Sequence, residues 1–223
     1  MSHFEFELAG LKDRLLVMAS HAEAAVKESV EALVTRDYDR ALRVRANDEL
    51  IDRLEIEVDE LAIQLLAKAP LAIDLRMIAA AMKISQNLER VGDEATKIAN
   101  QARDLSQELP LKLVVDIPQI AHLALQMLKS ALDAFVNQDP ASARAVIPQD
   151  KEVDALNKQI HRQLSDQMIE SPATITRCLN LMVAAKSLER IGDHAKNVAE
   201  EVVFLCEAQD IRHAGNTGTH AIH

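Results

Sequence analysis

This sequence of 223 residues has almost no aromatic side chains, with no Trp, one Tyr and four Phe, and it contains only five Gly and six Pro. Aromatic residues favour strands, whereas Gly and Pro interrupt helices. Because aromatic residues are scarce, few residues favour a β-sheet. Because Gly and Pro are scarce and Ala, Leu, Glu, Arg and Lys are abundant, long helices are favoured. The composition therefore predicts an all-α protein.

Cysteine is also scarce, since Cys178 and Cys206 are the only two, 28 residues apart. Both fall in one predicted helix, where a rise of 1.5 Å per residue would separate them by about 42 Å. A disulfide needs Cα atoms within roughly 7 Å, so these two thiols cannot pair within the chain. Free thiols favour a reducing compartment.

Basic residues are outnumbered, because 25 Lys and Arg stand against 35 Asp and Glu, for a formal net charge of −10. Nucleic-acid binding relies on clustered basic residues, so this balance argues against a nucleic-acid partner and favours cations or basic protein surfaces. The first seven residues (MSHFEFE) do not resemble a signal peptide, and no apolar run approaches the length of a membrane span. We expect a cytoplasmic protein that reaches a membrane only through its partners.

A repeated motif is the most informative feature that the sequence does contain. Residues 88–95 (LERVGDEA) recur one hundred residues later as residues 188–195 (LERIGDHA). Earlier in the two copies an offset of 102 aligns further residues, among them Asp48 with Asp150, Asp52 with Asp154 and Pro70 with Pro172. The chain is therefore predicted to contain two copies of one structural unit.

Apolar residues at three- and four-residue steps predict three helices in each copy. Pro148 lies inside the fifth helix and predicts a kink or a restart there. The predicted helices cover residues 8–35, 37–69, 70–107, 118–137, 140–170 and 172–206. We therefore expect a first three-helix bundle at residues 1–108, a linker at 109–117, a second three-helix bundle at 118–208 and a disordered tail at 209–223.

The motif places Glu89 and Asp93 one helical turn apart on a face beside the apolar stripe. On the preceding helix Asp48 and Asp52 share a similar face, which continues through Glu55 and Asp59. Counted from the intervening turn, the two carboxylate pairs lie at the same height, so four acidic side chains should converge in each copy. In the second copy these are Asp150, Asp154, Glu189 and Asp193, and the stripe continues through Asn157 and His161.

Two interpretations of these faces remain open from the residues alone. Close carboxylates repel each other by roughly 1–4 kcal/mol per pair near a surface, and bound cations such as iron, manganese, magnesium or calcium would reverse that sign. Alternatively, the faces are solvated, with Arg90 and Arg190 pairing to Asp93 and Asp193. Gly92 and Gly192 lie within the motifs and indicate close helix approach or space between the stripes.

An enzyme is not expected. Helical bundles with di-iron sites use a Glu-x-x-His step, and no Glu stands three residues before any of the eight His. There is no convincing Ser, His and Asp set and no glycine-rich phosphate loop. His194 is predicted to lie at the surface, pointing away from the stripe of Asp193.

Taken together, the doubled LER[VI]GD motif, the DxxxD steps at Asp48 and Asp150, and Pro70 followed by Asp74, Leu75 and Arg76 resemble the PhoU family of phosphate transport accessory and regulatory proteins. The resemblance extends from about Phe4 to Cys206. It implies two three-helix bundles side by side, a homodimer, and multinuclear iron or zinc clusters on the acidic faces. Carried onto this chain, the implied metal ligands are Asp48, Asp52, Glu89, Asp93, Asp150, Asp154, Glu189 and Asp193.

The resemblance also implies a function, namely negative regulation of phosphate uptake and of the phosphate-starvation response. The implied partners are the ATPase subunit of a phosphate ABC transporter and a phosphate sensor histidine kinase. Two alternatives stay open: a metal-free helical adaptor that docks through its acidic faces, and a regulator of a different phosphate transporter. Asn100 stands where the second copy has Glu200, and the second copy lacks Asp-Leu-Arg after its Pro, so the first site is expected to be weaker or differently ligated.

Overall fold

A computed structural model describes residues 3–69, 71–113 and 115–211 of the chain. Within these ranges the regular structure is helical and contains no strand. The all-α prediction is confirmed. The α-helices are α1 (His3–Thr35), α2 (Tyr38–Leu66), α3 (Ala72–Ser106), α4 (Ile117–Asn137), α5 (Pro140–Val146), α6 (Asp150–Glu170) and α7 (Ile175–Glu207).

Equivalent acidic residues begin the second helix of each repeat. The side chain of Asp37 accepts a hydrogen bond from the backbone N–H of Arg40, and Asp139 accepts from the backbone N–H groups of Ala141 and Ser142. Such N-caps satisfy backbone donors that have no partner inside the helix. Both repeats therefore start this helix by the same local chemistry.

The predicted interruption at Pro148 is confirmed, because a 3₁₀ turn at Ile147–Gln149 separates α5 from α6. Proline has no N–H to donate and its ring crowds the preceding helical turn. Asp150 is consequently the first residue of α6.

Several predicted boundaries differ from the structure. α1 begins at His3 instead of residue 8, since Phe4 also packs against the core, and α4 begins at Ile117, inside the predicted linker. Pro172 opens a 3₁₀ turn at Pro172–Thr174 and not α7 itself. The third helix, predicted to begin at Pro70, begins at Ala72, and Pro70 itself lies outside the described residues. Residues 212–223 of the predicted disordered tail at 209–223 also lie outside them.

The two repeats share one continuous hydrophobic core, and α3 and α7 lie at its centre. Contacts between these two helices join Lys83 to Glu201 and Glu94 to Arg190, so that residue numbers rise along one helix as they fall along the other. α3 and α7 are therefore antiparallel. We call their contact line the seam; the two copies of the LER[VI]GD motif face each other at its middle.

Both motif glycines lie where helices approach closely, as predicted. A Cβ atom on Gly92 would lie 2.9 Å from Ile51 Cδ1 of α2, and one on Gly192 would lie 3.3 Å from Val153 Cγ1 of α6. A side chain at Gly92 would require Ile51 to shift, and one at Gly192 would require Val153 to move by a few tenths of an ångström. The absence of a side chain at these positions thus brings α2 against α3 and α6 against α7.

Both cysteines are free, as predicted, and Cys178 is buried. None of the described helices combines the length and the hydrophobicity needed to cross a bilayer.

Candidate functional site

The first acidic face consists of Asp48 and Asp52 on α2 and Glu89 and Asp93 on α3. Asp48 Oδ1 lies only 3.5 Å from the position that a Cβ atom would take on Gly92, so the close approach at this glycine sets the carboxylate directly against α3. The charges of Asp52 and Asp93 both act on Asp48. The structure thus brings these four side chains together.

The electrostatics of this face show an excess of negative charge. Burial, and then the neighbouring charge of Asp52, raise the pKa of Asp48 above its usual value, although the hydroxyl of Thr96 opposes the shift. Burial and Asp93 raise the pKa of Glu89 in the same way, and Glu55 contributes to that shift. Desolvation and like charge both disfavour an ionised carboxylate. A cation bound at this face would reduce both the desolvation penalty and the repulsion between the carboxylates.

The second acidic face consists of Asp150 and Asp154 on α6 and Glu189 and Asp193 on α7. It is more deeply buried, because Asp150 and Glu189 are only 8% and 7% exposed. Burial raises the pKa of Asp193, and the charges of Glu189, Asp150 and Asp154 raise it further. The four side chains therefore also lie together in the second repeat.

Basic side chains compensate part of this charge. Lys196 Nζ lies 2.9 Å from Asp150 Oδ2, and this contact raises the pKa of Lys196. Lys186 pairs with Glu189 on the same helix. In the first face Arg90 lies 3.4 Å from Glu89, and its Nη1 donates to Asp93 at 3.3 Å, as predicted.

The predicted pairing of Arg190 with Asp193 is wrong. Arg190 Nη1 instead donates to Glu94 Oε1 at 3.2 Å, across the seam. His194 is likewise not a plain surface residue: its Nδ1 lies 3.0 Å from Asn87 Oδ1, and burial lowers its pKa. Both differences arise because antiparallel packing brings α3 within reach of side chains on α7.

The donor set of the faces fits a hard cation, which prefers carboxylate oxygens. Asp150 Oδ1 is buried and has no hydrogen-bond partner in the described structure, and the same holds for Asp59 Oδ1 at the end of the first stripe. Within residues 3–69, 71–113 and 115–211, however, no three His, Cys, Asp or Glu side chains are already arranged to hold a metal ion. Metal binding would require some carboxylates to turn, and the ligand roles of the eight residues stay a prediction.

Thr96 and Lys196 lie beside the faces and act on Asp48 and Asp150, but they were not identified from the sequence. They occupy equivalent positions, three residues after Asp93 and Asp193, which places them on the same side of α3 and α7. Alignment of the two repeats therefore shows from the sequence alone that the two positions are equivalent. Their partners on α2 and α6 become evident only when the helices are packed.

The acidic faces are expected to destabilise metal-free protein less in mild acid than at neutral pH. The pKa of Asp193 is raised above its usual 3.8 in the folded state. Between the raised and the usual pKa the folded chain binds more protons than the unfolded chain, so this group's effect on the free energy of unfolding improves as pH falls. Asp193→Asn should therefore stabilise metal-free protein near neutral pH, and its advantage over wild type should disappear below the usual pKa.

Urea unfolding of both proteins across this pH range, after chelator treatment, measures the difference. An advantage that stays constant with pH would contradict the raised pKa of Asp193.

The model of the family described as PhoU domain matches this chain twice, at residues 15–102 and 117–202. The two matches confirm the tandem repeat inferred from the motif. Each match ends beyond its copy of the LER[VI]GD motif and contains the four carboxylates of one face.

Named proteins and solved structures agree with this match. The phosphate-specific transport system accessory protein PhoU homolog of Pseudomonas aeruginosa is 40% identical over 216 residues, which cover 96% of this chain and 89% of that protein. The corresponding PhoU protein of Escherichia coli is 33% identical over 95% of this chain and 88% of its own.

The crystal structure of PhoU from Pseudomonas aeruginosa superposes with a TM-score of 0.90 at 39% identity, covering 93% of this chain and all of that one. A PhoU structure from Streptococcus pneumoniae, at 23% identity and a TM-score of 0.86, has the same fold over 94% of this chain and 99% of its own. On this evidence the chain belongs to the PhoU family.

Proposed function

We propose that this chain is an accessory and regulatory protein of a phosphate-specific transport system. In the cytoplasm it would restrain phosphate uptake and the phosphate-starvation response, by linking the ATPase subunit of a phosphate ABC transporter to a sensor histidine kinase. The observation that carries the proposal is the similarity to relatives named as phosphate-specific transport accessory proteins over 96% of this chain. A homodimer is part of the proposal.

The proposed role is regulatory and not catalytic, and in it the acidic faces would bind metal ions. Iron or zinc, or else manganese, magnesium or calcium, would be held by Asp48, Asp52, Glu89 and Asp93 in the first repeat and by their counterparts in the second. A bound cation would neutralise the repulsion that raises the pKa values of Asp48, Glu89 and Asp193. It would thereby tie α2 to α3 and α6 to α7.

A metal-free adaptor is the second candidate, and the lysine contacts favour it. Lys196 and Lys186 already pair with Asp150 and Glu189. In that case the acidic faces would dock on basic surfaces of the transporter or kinase, and high salt would weaken the complex because salt screens exposed charges. A regulator of a different phosphate transporter remains the third candidate.

Expression of this chain should restore repression in a bacterium whose own PhoU-family gene has been deleted. Labelled phosphate uptake in phosphate-rich medium and a phosphate-starvation reporter provide the two measurements. We expect both to return to the repressed level when the chain is expressed.

The same assay in a strain that also lacks the phosphate ABC transporter separates the candidates. Loss of the effect on uptake in that strain would support the proposed partner. An effect that persists there would point to another transporter, and no effect in either strain would contradict the proposal.

A further inference from the structure

An apolar cavity of about 300 Å³ opens where the linker between α3 and α4 joins the two repeats, and we call it the linker pocket. The linker contributes four apolar side chains at alternate positions, and α1, α3, α4 and α7 contribute the other apolar walls. The four are Leu109, Leu111, Leu113 and Val115. Leu109 is 77% exposed, so part of this apolar surface faces solvent. Contiguous apolar surface of this kind is typical of a binding site.

Two arginine side chains, one from each repeat, are the only charged groups among the described residues that line the linker pocket. Arg36, which follows α1, donates to the backbone carbonyls of Leu105 and Glu108. Arg177 of α7 donates to the backbone carbonyl of Leu109 at 2.9 Å. Because Glu108 and Leu109 are consecutive residues, the two guanidinium groups converge on the same end of α3.

The charges of these two groups are not neutralised by any carboxylate in residues 3–69, 71–113 and 115–211. Arg36 bonds there only to the two carbonyls already named, and Arg177 bonds only to the carbonyls of Leu109 and Ala173. A carbonyl satisfies an N–H donor but has no net charge, and the end of a helix adds only a partial negative charge. Each guanidinium also has five donors, of which these bonds use two. The linker pocket thus combines apolar walls with two uncompensated cations.

An occupant that matches this lining is apolar and also carries a negative charge. A second copy of the chain does not match, since a two-fold contact at the pocket would place Arg36 and Arg177 against the same residues of the copy. An anionic membrane surface does not match either, because it repels a chain whose formal net charge is −10. A segment of another protein can supply both properties.

We propose that the linker pocket docks a short segment of a partner protein in which large apolar side chains stand beside an Asp or a Glu. The apolar side chains fill the pocket, and Arg36 and Arg177 bind the acidic residue. Guanidinium groups bind carboxylates through paired, charge-assisted hydrogen bonds. Apolar anchors in such pockets supply most of the binding energy of an interface. Only the assignment of this partner to a phosphate transport system rests on the proposed function.

Selection of peptides from a random displayed library against the full chain tests the proposal without knowledge of the partner. We expect the enriched peptides to combine Leu, Ile, Met or Phe with an acidic residue. A synthetic, fluorescently labelled peptide of the enriched sequence is then the probe for anisotropy titrations. Replacing its acidic residues by Asn or Gln should weaken binding about tenfold or more, since charge-assisted contacts are lost.

Leu109→Glu separates docking from folding. Leu109 is largely exposed, so the change leaves the core intact, and the new carboxylate would lie close to Arg177, which already donates to the backbone at this position. We expect peptide binding to weaken about tenfold or more while the melting temperature stays unchanged. Ile63→Glu is the matched control, because Ile63 is 62% exposed on α2 and lies outside the pocket, and it should bind as wild type does.

The two arginines are tested in the same titration. Arg36→Gln and Arg177→Gln should each weaken binding of the peptide about tenfold, since each removes one charge-assisted contact. Arg162→Gln, an exposed change of the same charge on α6, is their control and should leave the affinity unchanged.

Three results would overturn the inference: no peptide enriched above the level found with Leu109→Glu protein; enriched peptides without acidic residues; or equal affinity of the probe for wild type and for both arginine variants. Enrichment of basic peptides alone would also contradict it and would place docking at the acidic faces. In the deletion strain, Leu109→Glu should fail to restore repression. Normal peptide binding by a wild-type chain that restores no repression would instead refute the proposed function alone.

Discussion

Adding Fe²⁺ or Zn²⁺ to chelator-treated protein is expected to raise its melting temperature by roughly 5–10 °C. A ligand that binds only the folded state stabilises it by about 2.7 kcal/mol at one hundred times its dissociation constant. For a chain of this size each kcal/mol shifts the melting temperature by about 2–4 °C. The physical source is the relief of burial and repulsion, the same effects that raise the pKa values of Asp48, Glu89 and Asp193.

The variant that tests this expectation replaces Glu189 by Gln and Asp193 by Asn. It keeps the shape of the second face while removing two of its charges, so it should lose much of the metal-induced rise and about half of the metal found by elemental analysis. Without metal it should be at least as stable as wild type, because the removed charges repel each other.

Asp13→Asn combined with Glu60→Gln provides a control with the same change of net charge, since both side chains are exposed and lie outside the faces. Equal metal content and equal thermal shifts in the two double variants would leave the faces as docking surfaces and support the metal-free adaptor.

Gly192→Leu is expected to destabilise the second repeat by about 1–3 kcal/mol or more, and to separate α6 from α7. A Cβ atom alone would lie 3.3 Å from Val153 Cγ1, and Val153 is buried. Because cores are close-packed, a larger side chain must displace its neighbours at this order of cost. The displaced helix carries Asp150 and Asp154, so metal affinity at the second face should fall with stability.

Gly10→Leu is the matched control, because a Cβ at Gly10 meets nothing within 4 Å. Glycine is the less favourable residue in a helix interior, so this control should stabilise α1 by up to about 1 kcal/mol. Chemical unfolding curves of the two variants measure the contrast. A Gly192→Leu protein as stable as wild type would show that α6 and α7 do not need this close approach.

Much of the fold could be predicted because its signals are local. The periodic apolar residues define the helices, and Pro148 predicted the interruption now seen at Ile147–Gln149. The repeat aligned Asp48 with Asp150 and Glu89 with Glu189, and counting from each turn indicated that the carboxylates lie level. These inferences needed only helical geometry and short connections between antiparallel neighbours.

The seam could not be predicted in this way. Helical geometry states which residues share a face, but not which distant helix covers that face. Arg190 was therefore assigned to Asp193, three residues away on its own helix, whereas it reaches Glu94 of the other repeat. The inference about His194 failed for the same reason, since its partner Asn87 lies 107 residues away in the chain.

The sequence alone thus determined the helical class, the tandem repeat and the carboxylate positions, since each depends on spacing along one helix or on comparison of the two copies. The tertiary structure decided which charges compensate each other and where Glu94 and His194 meet the opposite repeat. Those contacts depend on the antiparallel register of α3 and α7, which is set by packing the apolar faces of both repeats into one core.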